Sequence, residues 1–247
     1  MLPPSVSKTL SFLRAMTSPS TFFRGQVGDG REQRLLEHVV AEAEPGNPKS
    51  VLDVIDRYTA SKGTWFMNIG DDKGPILDSV VERSNPRLAL ELGAYCGYSA
   101  VRIASRMKDP NGLLISIEMN PQNVQIARKM VEIAGLSDRV RVLEGTLESC
   151  LAELKSIIRD ELQLSAIDLV FIDHNKNVYL KDYLQLKEEG LLKSGSVIVA
   201  DNMGFPGSPS FWRYLKKNAQ ELHTVEHRCK FEYIGWISDI VTVSTCV

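Results

Sequence analysis

One stretch, Leu88 to Ser99 (LALELGAYCGYS), limits the possible folds more than any other part of the chain. An apolar run of strand length carries an acid at Glu91 and ends at Gly93; a second glycine, Gly97, opens a helical pattern that continues to Met107. Strand, glycine turn and helix in immediate succession let backbone amides and a helix N-terminus approach a nucleotide-like ligand. The spacing Gly93-x-x-x-Gly97 departs from the dinucleotide Gly-x-Gly-x-x-Gly, which argues against a pyrophosphate guest. A second buried-looking run, Leu113 to Ile117, ends at Glu118, about twenty-five residues after Gly93. A carboxylate at that strand tip is placed to accept both hydroxyls of a ribose. The pair of tips therefore points to adenosine without phosphates.

From Leu88 onward the pattern alternates. Strands are predicted at 88–92, 113–118, 139–143, 167–172 and 196–200, with helices at about 97–107, 121–134, 146–160, 178–190 and 208–219. Strands joined through single helices imply right-handed crossovers and a parallel, doubly wound sheet. Segments 222–229 and 236–243 leave no room for a helix between them and are predicted to pair antiparallel. Upstream, helical stripes cover 31–43, 50–58 and 72–81, with Ser50 read as a cap, Asp53 at its capping-box position, and an aromatic loop at 65–70. The 247 residues fit one α/β domain, taken as 27–247. Residues 1–26 carry Lys8, Arg14 and Arg24, no acid and many hydroxyls. They are read as a disordered tail, with a composition also compatible with an organelle transit peptide.

Charge and cysteine content narrow the function. A formal charge of −2 comes from interspersed acids and bases without a long single-sign block, so neither a nucleic-acid groove nor a polybasic membrane patch is expected. No run reaches the roughly 20 apolar residues of a spanning helix. The four cysteines are scattered, which fits a reducing, cytoplasmic setting rather than a disulfide framework or a zinc knuckle. A monomer acting on a small molecule is the expectation.

In a doubly wound sheet the ligand lies beyond the carboxyl ends of the strands. Those ends read Glu91 and Gly93, then Glu118, Glu144-Gly145, Asp173-His174-Asn175-Lys176 and Asp201-Asn202. Two carboxylates and an amide oxygen from Asp173, Asp201 and Asn202 form an all-oxygen set suited to Mg²⁺. Either acid alone reads as a helix cap; the two tips together favour the metal. Lys176 lies in the same loop, where a neighbouring cation and desolvation would weaken its hold on a proton and fit it to act as a base. Glu232, between two aromatics in the last loop, reads equally as a surface acid or a site residue.

In combination these residues resemble the catechol O-methyltransferases. The matching stretches are Trp65-x-Met67-Asn68-Ile69-Gly70-Asp71-x-Lys73-Gly74, Leu90 to Arg102, Glu118-Met119-Asn120-Pro121, Phe171-Ile172-Asp173-His174-x-Lys176, Ala200-Asp201-Asn202 with Pro206-Gly207, and Glu232-Tyr233. The resemblance runs from about residue 30 to the end. It implies a Rossmann-like class I methyltransferase with a mostly parallel seven-stranded sheet and a C-terminal antiparallel pair. It also implies S-adenosylmethionine as methyl donor and Mg²⁺ at Asp173, Asp201 and Asn202. By the same resemblance Lys176 is the general base and Glu232 holds the second hydroxyl of the catechol. Met67, Ile69, Glu91, Gly93, Tyr95, Ser99, Glu118, Met119, Gly145, Asp173 and His174 are cofactor contacts. Trp65 and Pro206 are the apolar walls around the ring, which also meets Asp173, Lys176, Asn202 and Glu232.

The sequence departs from that pattern at Asn175, where the vertebrate enzymes carry a tryptophan, at Leu147-Glu148 near the expected adenine, and at Phe231, a bulkier residue before the glutamate. An open Asn175 position favours larger catechols such as caffeoyl esters as an alternative substrate class. A catalytically silent relative is the other alternative, and retention of Asp173, Asp201, Asn202 and Lys176 weighs against it.

Overall fold

The computed structural model describes residues 4–18, 20–21 and 25–247. Its centre is a seven-stranded sheet in the order β3-β2-β1-β4-β5-β7-β6. The strands are β1 (Leu88–Leu92), β2 (Leu113–Glu118), β3 (Val140–Glu144), β4 (Leu169–Ile172), β5 (Val197–Ala200), β6 (Leu222–Phe231) and β7 (Ile234–Cys246). The first five are parallel, whereas β7 runs antiparallel to both β5 and β6. The expected seven-stranded Rossmann-like sheet is thus present, and its direction of growth reverses between β1 and β4. Ligands of such sheets bind outside that reversal.

Period-two alternation along β1 feeds two apolar layers. Ala89 joins the layer formed with α2 (Arg31–Glu42), α3 (Pro48–Lys62), α4 (Gly70–Ser84), α5 (Tyr98–Arg106) and α6 (Pro121–Ile133). Leu88, Leu90 and Leu92 join the opposite layer with α7 (Leu147–Ser156), α8 (Tyr179–Glu188) and α9 (Pro209–Lys217). Local chemistry sets the helix starts. Asn47, not Ser50, caps α3: its side chain accepts the Ser50 amide, and Pro48 occupies the first turn. The Ser50 hydroxyl instead accepts the Glu44 amide. Beyond α7, the helix expected through residue 160 widens into a π-helical turn, Ile157–Glu161.

The N-terminal segment differs most from expectation. Residues Pro4–Thr17 form a helix, α1, rather than a disordered tail. Phe12 and Ala15 are buried with Trp65, Phe231 and Ile234, and Trp65 donates its backbone amide to the Ser11 hydroxyl. Sequence alone shows only a short apolar cluster around Leu10, Phe12 and Leu13; the partner that buries it lies more than fifty residues away. Arg24, counted in that tail, lies outside the described residues.

Two outcomes follow from this packing. Phe12→Ala should cost about 3 kcal/mol, the low end for burying and then deleting a phenyl ring, and should red-shift tryptophan emission as Trp65 meets water. An unchanged melting curve and spectrum would mean that α1 does not dock. The second concerns Glu91, which shares the Ala89 face of β1, is fully buried, and accepts a hydrogen bond from Ser116. Burial pushes its carboxyl up to about 7, against the pull of the Ser116 and Ser99 hydroxyls. The folded state therefore binds this proton more tightly than the unfolded chain does. Stability from this group is fully present below its unfolded pKa and is lost as pH rises through about 7. Glu91→Gln should thus stabilise the cofactor-free protein at pH 8, by an amount on the order of 3 kcal/mol, and leave it unchanged near pH 4. Denaturant melts at the two pH values check this, and a pH-independent difference contradicts it.

Candidate active site

The first tip is built by close backbone approach. Gly93 has φ 100°, and a Cβ there would lie 2.6 Å from the Asp173 carbonyl oxygen. Only glycine lets the β1 and β4 tips meet this tightly. At Gly97, φ 83°, a Cβ would stand 3.1 Å from the Ala127 backbone, so this glycine seats α5 against α6. Between them Tyr95 donates its amide to Glu118 Oε2 (2.9 Å) and its hydroxyl to Glu32 Oε1 (2.9 Å). Its hydroxyl is thereby committed inside the protein.

Glu118 stands at the end of β2, with Oε1 accepting the Asn120 amide at 2.8 Å. Together with the Asn123 side chain and the Met119 amide, these contacts orient the carboxylate at the strand tip. Beside it, a cavity of about 500 Å³ is lined by Ser20, Gln26, Gly28, Met119, Asn120, Pro121 and Gln122. Met119 is exposed there, and Gly145 follows β3 with its amide donating to the Glu118 carbonyl. Within the aromatic loop Ile69 is buried and Met67 partly buried. Glu91 and Ser99 lie deeper, inside the layer beneath the turn. Glu148 points away from all of these in an exposed ion pair with Lys181.

The β4 and β5 tips bring the charged groups together. Lys176 Nζ donates to Asp173 Oδ1 (2.8 Å) and to the Tyr179 hydroxyl (2.7 Å), and that hydroxyl donates to the Asp201 carbonyl. Burial pushes the Asp173 carboxyl up to about 6 even though the Lys176 ammonium pulls it down. His174 Nε2 lies 2.6 Å from Asp182, its ring stacks on Tyr179, and burial lowers its pKa. Asn175 is exposed, so the loop is open on the side where it departs from the vertebrate pattern.

Across from this pair lies a denser cluster. Lys73 Nζ is fully buried and donates to Asp201 Oδ1 (2.7 Å), Glu232 Oε1 (2.5 Å) and Asp239 Oδ2 (2.8 Å). Asn202, in the left-handed region at φ 53°, donates its side-chain amide to Glu232 Oε1 (2.6 Å) and Asp239 Oδ2 (2.9 Å). Asp239 Oδ1 in turn accepts the amides of Gly204, Phe205 and Ile240. Within this cluster, Asp201 Oδ2 and Glu232 Oε2 are buried without a hydrogen-bond partner among the described residues. Burial pushes the Glu232 carboxyl up to about 8, with the Lys73 ammonium acting in the opposite direction.

Sequence reasoning assigned no role to Lys73 or Asp239, although each carried a signal. Lys73 lies on the same α4 face as Leu77 and Val80, in line with Ile69 just before the helix, a position where an unpaired ammonium is not tolerated. Asp239 sits two residues before the fully buried Val241 on β7, on the inward face of the strand.

Aromatic rings close the site. Trp65 donates its indole N–H to the Glu232 carbonyl (3.0 Å) and stacks on Phe231 at 6.0 Å between centroids. Phe12 packs edgewise on both, 5.3 Å from Trp65 and 5.4 Å from Phe231. Pro206 lies exposed in the β5–α9 loop, and it is the adjacent Phe205 that reaches Phe231, at 5.1 Å. The expected site residues are thus gathered at the carboxyl ends of the parallel strands, with Pro206 exposed at the rim and Glu91 and Ser99 buried.

Comparison with known proteins agrees with this architecture. Residues 42–224 match a family model described as O-methyltransferase. Catechol O-methyltransferase of Mus musculus is 45% identical over 190 residues, covering 77% of this chain and 69% of the relative. Catechol O-methyltransferase B of Danio rerio is 41% identical over 203 residues, covering 82% and 74%. Among solved structures, the O-methyltransferase TomG from Streptomyces achromogenes, in complex with SAM, superposes with a TM-score of 0.64 at 20% identity, over 79% of this chain and 89% of that one. With a match across most of its length and relatives at this level of identity, the chain belongs to the O-methyltransferase family.

Proposed function

We propose that the protein transfers the methyl group of S-adenosylmethionine to one hydroxyl of a small catechol, with Mg²⁺ held by Asp173, Asp201 and Asn202. The observation that carries this reading is the convergence of Lys176, Asp173, Asp201, Asn202 and Glu232 at the tips of β4 and β5 and the neighbouring loop, under an aromatic cover. The likeness to catechol O-methyltransferases supports the substrate class. Sealing of the rings by Phe12 favours small catechols over extended esters.

The residues fit the metal. Asp201 Oδ2 is a buried carboxylate oxygen without a partner, and hydrogen bonding of the Asn202 amide nitrogen to Glu232 and Asp239 leaves that side chain's oxygen as a ligand. Two carboxylates and one amide oxygen are hard donors of the kind Mg²⁺ selects. When bound, the ion would supply positive charge that lowers a hydroxyl pKa and helps to orient the ring.

The chain's own groups do the rest. Lys176, held at the rim by Asp173 and Tyr179, would in its neutral amine form take the proton of the reacting hydroxyl. Glu232 accepts the second hydroxyl through Oε2, because Oε1 is already engaged by Lys73 and Asn202. Trp65, Phe231 and Phe205 exclude water from the ring face. Glu118 anchors the ribose of the donor, and the cavity beside Met119 takes its adenine. Methyl transfer then forms the new O–C bond as the donor's C–S bond breaks, leaving a neutral thioether.

The test is methyl transfer to a simple catechol with and without Mg²⁺, comparing wild type with Lys176→Ala. Product formation that requires the ion and falls at least about 100-fold in the variant is expected, in line with general-base contributions. Absence of turnover on any catechol, with the methyl donor bound, would overturn the reading.

A further inference from the structure

The Lys73 ammonium is surrounded as a metal ion would be. Asp201, Glu232 and Asp239 each offer an oxygen to one point, and the three ligand atoms lie within 4.8 Å of one another. That point is filled by Lys73 Nζ at 2.5–2.8 Å from all three. The side chain is fully buried, so its charge has no solvent to screen it.

Formal charge shows what the lysine does for the site. Asp173, Asp201, Glu232 and Asp239 face the ammonium groups of Lys73 and Lys176. Three of these carboxylates share the single Lys73 ammonium. Without Lys73 the cluster would lose that cation, in a buried site where an unpaired charge is strongly disfavoured. Geometry adds a second consequence. Glu232 Oε1 is fixed by Lys73 and Asn202, and the orphaned Oε2 is thereby the oxygen left to meet a ligand.

We propose that Lys73 is a positioning residue that stands in the place of a second divalent cation, making this a one-metal site and presenting Glu232 through Oε2 alone. The assignment rests on the Mg²⁺ reading given above. It goes beyond that reading by giving a role to a residue that touches neither substrate nor methyl donor.

Manganese binding tests it without reference to activity. Wild type, Lys73→Ala and Lys73→Arg are titrated with Mn²⁺ by calorimetry, and free ion is counted by electron paramagnetic resonance. One ion per chain is expected for wild type and for Lys73→Arg, which keeps the charge, and two for Lys73→Ala, where the vacated carboxylates take the second. A single ion in Lys73→Ala, or two in wild type, overturns the assignment. If Lys73→Ala does not fold in buffer, recovery of its circular dichroism at millimolar Mn²⁺ supports the assignment, whereas a chain that stays unfolded overturns it. Wild type that binds no Mn²⁺ overturns the metal reading itself and this assignment with it, a result distinguishable from failure in the variant alone.

Discussion

Much of this molecule depends on keeping four carboxylates out of water at the carboxyl end of one sheet. A buried carboxylate without compensation costs several kcal/mol even after relaxation. Here each negative group is given a specific partner: Lys176 beside Asp173, Lys73 among Asp201, Glu232 and Asp239, and three backbone amides on Asp239 Oδ1. These partners come from α4, the β4–α8 loop, the β5–α9 loop and β7 itself, so elements distant in sequence are fixed by one electrostatic requirement. Removing one partner of such a cluster leaves a bare charge, at about 3–5 kcal/mol. The same compensation stops short at Asp201 Oδ2 and Glu232 Oε2, and that remainder is what the site has available for chemistry.

The sheet makes the arrangement possible. Reversal of its growth between β1 and β4 opens a crevice, and Gly93 lets the two tips approach until only a side chain as small as hydrogen fits. The antiparallel β6–β7 pair then turns Glu232 and Asp239 back toward β5. The proposed adenosine site at the β2 tip and the charged groups at β4 and β5 are neighbours for this reason. Helix α1 adds an aromatic cover, since Phe12 reaches the rings that line the proposed catechol position.

What could be read from the sequence were features set locally. Alternating apolar runs located the five parallel strands, and the absence of helix length between 229 and 236 required an antiparallel pair. The chemistry at strand ends was equally legible, because a residue that follows a parallel strand is placed by the fold's topology. Features that depend on distant partners were not. Lys73 becomes interpretable only once Asp201, Glu232 and Asp239 surround it, and Asp239 is one acid in an otherwise ordinary strand. Phe12 belonged to an unremarkable basic segment until Trp65 and Phe231 supplied a surface for it. The α3 cap moved from Ser50 to Asn47 because Pro48 fixes the first turn, a local rule outweighed in the sequence reading by a nearby capping-box pattern.

The central claim is that the buried acids divide between one divalent ion and one lysine. Its most direct measurement is an anomalous difference map from crystals grown with Mn²⁺, S-adenosylhomocysteine and a nitrocatechol. The account predicts a single Mn²⁺ peak bounded by Asp173, Asp201 and Asn202, with Lys73 still among Asp201, Glu232 and Asp239. A peak among Asp201, Glu232 and Asp239, with Lys73 displaced, would contradict it.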